Sequence, residues 1–211
     1  MKLETIAIIA GGTVRDRAFH LEILAKANLI ICADGGANSA VKLGVIPNYV
    51  IGDLDSIKYA ALKKIQKARN SSVIYNPDQG KTDLELAIAL AESFEPEEIL
   101  ILGAIGDNFD HTLANIICLD KIKRPIRARI IDEENDICLV DSSIDLKGKK
   151  GDLISVIPLT PVRGLSYDGL KWNVENIDVE FGWFGIRNRM AKSRARISLN
   201  SGKILVIKTR I

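Results

Sequence analysis

Hydrophobic spacing changes character once along this chain. Up to about residue 124, short β-branched runs at 5–10, 29–32, 49–51, 73–75 and 99–102 alternate with stretches of helical period. The helical stretches predict helices at 19–26, 38–43, 60–68, 83–92 and 112–120. Strands separated in this way by helices predict a mostly parallel, Rossmann-like sheet with helices on both faces, an α/β domain over residues 1–124. From residue 125 onward the runs at 126–131, 137–140, 152–157, 194–199 and 203–208 are short, alternating and punctuated by Gly and Pro. This texture predicts a C-terminal antiparallel β-sandwich or small barrel over residues 125–211.

A parallel sheet with right-handed crossovers gathers the loops that follow its strands along one edge, and ligands bind there. The loops at that edge are Gly11-Gly12, Asp34-Gly35-Gly36, Gly52 to Ser56 and Gly103 to His111. They are rich in carboxylates. Asp53 and Asp55 lie in Gly52-Asp53-Leu54-Asp55-Ser56, Asp83 in Lys81-Thr82-Asp83-Leu84-Glu85, and Asp110 in Phe109-Asp110-His111. If the backbone after the strand at 49–51 stays extended, Asp53 and Asp55 point to the same side. Their charges then lie about 7 Å apart and repel by roughly 2 kcal/mol at an effective dielectric of ~20. Further carboxylates add to this, and oxygen ligands at such density favour Mg²⁺.

Part of the same segment has a structural explanation, since Thr82 and Glu85 form a Thr-x-x-Glu capping box with Asp83 in the first helical turn. Gly35-Gly36 forms a strand-to-helix turn through which backbone N–H groups can approach an anion. It is neither a Walker A loop nor the dinucleotide fingerprint. Beside a metal cluster, a phosphate-bearing ligand is the natural inference.

Composition narrows the classes without choosing a chemistry. The chain has 211 residues, 47% hydrophobic, with a formal charge of +2. That balance gives no polyanion footprint, so no nucleic-acid partner is expected. The cluster Arg187, Arg189, Lys192, Arg194 and Arg196 has strand-like alternation and reads as a solvated sheet face. Cys32, Cys118 and Cys138 are scattered among aliphatic residues, as buried thiols of a reducing, cytoplasmic compartment would be. The opening apolar run is too short for a signal core or membrane span, so no membrane partner is expected.

The segments Ala33-Asp34-Gly35-Gly36-Ala37-Asn38, Ile51 to Ser56, Lys81 to Glu85, Gly103 to Asn115 and Gly169-Leu170-Lys171-Trp172-Asn173 together resemble the thiamine pyrophosphokinase (thiamine diphosphokinase) family over essentially the whole length. The resemblance implies a homodimer with active sites between subunits, with ATP and Mg²⁺ as partners. The implied reaction is pyrophosphoryl transfer from ATP to the hydroxyl of thiamine, giving thiamine diphosphate and AMP. It implies Asp53, Asp55 and Asp83 as metal ligands and catalytic residues together with Asp110, which either binds metal through water or helps to activate the hydroxyl. Nucleotide binding is implied for Asp34, Gly35, Gly36, Asn38, Gln79, Lys81, Thr82 and His111. Gln79 and Lys81 are the nearest candidates for phosphate contact, while His111 also reads as orienting the helix that follows it.

Trp172 has a chemical rationale besides the resemblance, because an indole face can stack on a cationic thiazolium or a flat aminopyrimidine. The family places a stacking aromatic at the matching position, and Asn188 corresponds to the Asn of a substrate loop. Two departures stand out. Gly106-Asp107-Asn108-Phe109 lacks the Arg usual in the family before the Asp, and Arg187-Asn188-Arg189 replaces a Ser-Asn-Glu type of loop. Competing readings are a pyrophosphokinase acting on a hydroxymethylpterin, and a catalytically silent nucleotide- or thiamine-binding regulator.

Overall fold

The computed structural model of the chain describes residues 3–77 and 80–211. Its first compact unit ends at Glu133 and the second begins at Glu134. In the first unit, strands β1 (Thr5–Ile9), β2 (Leu29–Ala33), β3 (Tyr49–Gly52), β4 (Ser72–Tyr75), β5 (Glu98–Leu102) and β6 (Arg127–Ile131) run in the spatial order β6-β5-β1-β2-β3-β4, every pair parallel. Helices α1 (Arg17–Leu24), α2 (Gly36–Leu43), α3 (Tyr59–Gln66) and α4 (Asp83–Glu92) connect successive strands, and α5 (Phe109–Ile117) follows β5. β1 is central and nearly wholly buried, as a strand covered on both faces must be. Each fully buried Ile or Leu contributes roughly 1.5–3 kcal/mol, and Ile6, Ile8, Ile31, Ile99, Ile101 and Leu102 are all of this kind.

The sequence assigned residues 126–131 to the second domain, but β6 pairs parallel with β5 and belongs to the first unit. Its alternation reflects a polar position accommodated within a parallel pair, where Arg129 Nε forms an ion pair with a Glu98 carboxylate oxygen of β5 at 3.2 Å. The last helix also differs from its expected span of 112–120. It starts at Phe109 after Asn108 in extended conformation, and a 3₁₀ turn at Cys118–Lys121 replaces its tail. Asp110 and His111 therefore sit in its first turn, where the helix dipole favours a carboxylate.

The second unit is antiparallel throughout. Its strands are β7 (Asn135–Val140), β8 (Ser143–Lys147), β9 (Leu153–Pro158), β10 (Val162–Asp168), β11 (Ile177–Val179), β12 (Gly185–Arg189), β13 (Arg194–Ser198) and β14 (Ile204–Thr209). One sheet runs β12-β9-β14-β7 and the other β11-β10-β13-β8. Ile154, Val156, Ile204 and Val206 of the first meet Leu165, Ala195 and Ile197 of the second in a shared core, which is the expected sandwich. On β13, Ala195 and Ile197 are buried while Arg194 and Arg196 are exposed, and Arg196 pairs with Asp145 at 2.9 Å. That is the solvated basic face read from the alternation.

Gly36 begins α2 directly against β1. A Cβ there would lie 2.0 Å from the Ile9 carbonyl oxygen, so no side chain fits without moving the central strand. Gly36→Ala is expected to destabilise the protein by about 1–3 kcal/mol or more, as overpacking against backbone does. Denaturant unfolding checks this, and wild-type stability would contradict the close approach.

Candidate functional site

The loops after the parallel strands surround a cleft of about 850 Å³ within the first unit. Asp34, Asp53, Asp83 and Asp110 reach it from four different segments, with Lys81 and His111 also on its wall. The parallel register explains the convergence. Ala33 of β2 lies opposite Ile51 of β3, so the next residues out bring Asp34 beside Gly52 and Asp53. Gly52 has φ of +149°, and a Cβ there would meet Asp83 Oδ1 at 2.6 Å and Asp34 Cβ at 2.9 Å. The missing side chain thus lets two carboxyl groups close over the end of β3.

Asp53 and Asp55 do not follow the extended path expected of them. Leu54 takes a left-handed φ of +65°, and the Asp55 N–H donates to Asp53 Oδ1 at 3.2 Å in a turn. One carboxylate oxygen from each of Asp34, Asp53 and Asp55 then falls within 4.8 Å of the others. This is closer than the ~7 Å of an extended strand. Each pair repels by roughly 3 kcal/mol at an effective dielectric of ~20, less where water reaches Asp55. The compact group contains Asp34, which the sequence reading placed among nucleotide-binding residues. Asp83 stands at its edge, close enough for its charge to be felt.

Burial of Asp34 pushes its carboxyl pKa upward, opposed by hydrogen bonds from Ser56 and aided by the charge of Asp55. Asp83 is also raised, first by burial and then by the charges of Asp34, Asp53 and Asp55. Asp34 is 3% exposed; its Oδ2 accepts from the Ser56 N–H at 3.1 Å, and its Oδ1 is buried with no hydrogen-bond partner. A buried carboxylate oxygen without a donor, facing other carboxylates, suits a cation. Asp34, Asp53 and Asp55 are thus the residues able to share one hard divalent ion, with Asp83 beside them.

Other expected site residues carry structural duties. Asn38 Nδ2 donates to the Ser56 carbonyl at 2.9 Å and its Oδ1 accepts from Lys58 N–H at 2.9 Å, so its side chain ties α2 to the acidic loop. Thr82 and Glu85 form the predicted capping box, and Glu85 also pairs with Lys121. Gly35 and Lys81 line the cleft, whereas Gly36 is buried against β1. Asp110 Oδ1 accepts from the His111 N–H at 2.8 Å. Gln79 lies outside the described residues. Thr112 escaped the sequence reading; its hydroxyl accepts from Gly106 N–H at 3.1 Å and donates to the Gly106 carbonyl at 3.2 Å, pinning the loop before α5. The position of Thr112 in the first turns of a helix was the available signal.

Trp172 and Asn188 belong to the second unit. Trp172 is 56% exposed, which excludes a core role for its indole. Asn188 is buried and its side chain bonds to the main chain of Trp172.

Comparison with known proteins gives matches in both units. A family model described as the thiamin pyrophosphokinase catalytic domain matches residues 20–130, and one described as the thiamin pyrophosphokinase vitamin B1 binding domain matches residues 141–204. The chain is 31% identical to a thiamine pyrophosphokinase of Bacillus subtilis (strain 168), over 98% of this chain and 99% of that protein. It is 28% identical to thiamine pyrophosphokinase 1 of Oryza sativa subsp. japonica, over 88% and 80% respectively. The crystal structure of the thiamine pyrophosphokinase from Bacillus subtilis superposes with a TM-score of 0.88 at 30% identity, covering 98% of this chain and 99% of that one. That of thiamin pyrophosphokinase from Candida albicans, at 19% identity and a TM-score of 0.84 over 98% and 89%, shares the fold.

The raised carboxyl of Asp34 generates a pH test in metal-free protein. Between the ordinary Asp value of 3.8 and its raised folded value, the native state holds a proton that the unfolded state lacks. Stability from this group therefore grows as pH falls through the folded pKa and is lost as pH rises. Asp34→Asn keeps the shape and tolerates the local φ of +36°. In chelator the variant should melt above wild type at pH 7, with the gap narrowing toward pH 4. A gap that is absent or constant across that range would refute the stored repulsion.

Proposed function

The chain belongs to the thiamine pyrophosphokinase family, and from that membership, which makes it a diphosphotransferase, we propose that it moves the pyrophosphoryl group of ATP to the hydroxyl of thiamine. The observation that carries this reading is the group of Asp34, Asp53 and Asp55 oxygens within 4.8 Å, with Asp83 beside it, at the carboxyl ends of parallel strands. In the reaction the thiamine hydroxyl oxygen bonds to the β-phosphorus of ATP. The bond from that phosphorus to the α,β-bridging oxygen breaks, AMP leaves with the electron pair, and the hydroxyl proton is released.

Asp34, Asp53, Asp55 and Asp83 would hold Mg²⁺, which supplies positive charge for the phosphoryl oxygens and the departing bridging oxygen. We assign the hydroxyl proton to Asp110, at the dipole-positive start of α5. Lys81, exposed on the cleft wall, is assigned to the polyphosphate. His111 and the Gly35 turn border the same space. Trp172, exposed and aromatic, is assigned to stacking on thiamine. The vitamin B1 binding match over residues 141–204 favours thiamine over a hydroxymethylpterin, and the complete set of carboxylates favours an enzyme over a silent regulator.

We also propose a homodimer. Phe109, Leu113 and Ile117 repeat every four residues along α5 and are exposed at 77%, 47% and 49%, and α5 buries none of its residues in the single chain. Such a stripe on a helix is a surface for a second copy. The three cysteines are free and buried, which suits a reducing cytoplasm. Among the described residues no helix is long and apolar enough to cross a membrane.

Incubation with ATP, Mg²⁺ and thiamine should yield AMP and thiamine diphosphate, and a pterin alcohol in place of thiamine should yield neither AMP nor a diphosphate. ADP as the nucleotide product, or no turnover, would overturn the proposal. Asp53→Asn or Asp55→Asn should lower turnover by on the order of 10² or more through lost transition-state stabilisation. Addition of Mg²⁺ should raise the melting temperature of wild type more than that of either variant. Separately, sedimentation equilibrium should give twice the 23.2 kDa of one chain. Leu113→Glu should shift it toward monomer, and a monomeric wild type would remove the role given to the α5 stripe.

A further inference from the structure

In the second unit, residues 169–173 run antiparallel to the end of β12 and the residue after it. Leu170 bridges to Met190, and the Lys171 N–H donates to the Arg189 carbonyl at 2.8 Å. Asn188, the next residue back along β12, is 8% exposed and one of the few buried polar residues among those described. Its Nδ2 donates to the Trp172 carbonyl at 2.7 Å, and its Oδ1 accepts from the Trp172 N–H at 3.2 Å and the Arg189 N–H at 2.8 Å. Both acceptor positions of the amide and one of its donors are therefore spent on main chain. Little of this side chain is left for a ligand.

A bulge produces that orientation. Gly185 pairs with Val156 and Asn188 with Ile154, so three steps along β12 match two along β9. Arg187 absorbs the extra residue at a left-handed φ of +57°, and its N–H donates to Ser155 Oγ at 3.1 Å. The bulge turns Asn188 inward beneath Trp172. Above, the Lys171 ammonium sits 4.5 Å from the centre of the indole ring and covers one face. The main chain of Trp172 is thus held and a cation backs one face of its ring, while the residue stays 56% exposed.

The geometry points to Asn188 as a positioning residue that presents the Trp172 indole, not a residue that touches substrate. This rests on the assignment of Trp172 as the stacking surface for thiamine. Asn188 acts through Trp172, so the two side chains should be energetically one unit for thiamine and irrelevant to ATP.

A double-mutant cycle tests this. Trp172→Ala should raise KM for thiamine roughly 5- to 30-fold, the size of a lost stacking and cation–π contact. Asn188→Ala should raise it comparably, with KM for ATP and kcat changed less than about threefold. In the Trp172→Ala background, Asn188→Ala should change the thiamine KM by less than about twofold. In a Trp183→Phe background, which leaves Trp172 as the fluorophore, Asn188→Ala should lower the steady-state anisotropy. Should Asn188→Ala fail to fold, Asn188→Asp keeps the two acceptor contacts but sets a carboxylate oxygen against the Trp172 carbonyl, and should give a loss of the same kind. Multiplicative losses in the double variant would mean direct substrate contact by Asn188 and overturn the inference. An unaltered thiamine KM in both Asn188 variants would also overturn it. No effect of Trp172→Ala would instead refute the role of Trp172, while product formation by wild type tests the reaction itself.

Discussion

Repulsion among carboxylates held on adjacent parallel strands is the constraint around which the first unit is organised. Strand spacing of about 4.8 Å is fixed by the hydrogen-bond ladder, and the β2–β3 register sets Asp34 beside Gly52 and Asp53 whatever their charges prefer. Asp34 and Asp53 each follow directly on a paired strand end, which limits how far these groups can move apart. A few kcal/mol of repulsion is a large share of the roughly 5–15 kcal/mol by which a domain is stable. The dense aliphatic core beneath, from β1, β2 and β5, allows the edge to carry that cost. Strain of this kind suits the proposed function, in which a cation and a polyphosphate would exchange it for attraction.

The polar residues around the cluster serve the same end by fixing its loops. Asn38 anchors the loop of Asp53 and Asp55 to α2, and Ser56 supplies a backbone donor to Asp34. The Thr82–Glu85 box fixes the start of α4, and Thr112 pins the Gly106 loop on the opposite side. Each bond commits a polar group at the cleft to holding the loops in place. Preorganisation by such neighbours lets oxygen atoms on four separate segments keep their geometry without a bound ligand.

Much of this was legible in the sequence because local and long-range signals agreed. The five runs from 5–10 to 99–102 became strands in the predicted order, and Asp83–Glu92 formed at its predicted ends because a capping box starts it. The β6 strand was misassigned because pairing partner, not residue texture, decides which sheet a strand joins. β10 was missed where Gly164, at φ of +70°, interrupts its apolar run, and β12 because Gly-Ile-Arg-Asn-Arg offers little hydrophobic signal. At the site, the acidic loops were visible as motifs, but the place of Asp34 among the carboxylates depends on the register between Ala33 and its partner Ile51, 18 residues further along the chain. The turn at Leu54 likewise has no strong local signature, since Leu rarely takes a positive φ.

The second unit follows a different logic, in which one inserted residue decides what a strand presents. Without the bulge, alternation would send Asn188 and Ile186 to one face and Arg187 to the other. With it, Asn188 is buried while Ile186 and Arg187 are both exposed. Holding a non-glycine residue in the left-handed region costs on the order of 1 kcal/mol. A buried amide bonded at three of its positions offsets a cost of that size. The sequence therefore maintains a strained residue and a buried polar one side by side. What the arrangement gains is a fixed main chain under an exposed aromatic ring, as the positioning role inferred for Asn188 requires.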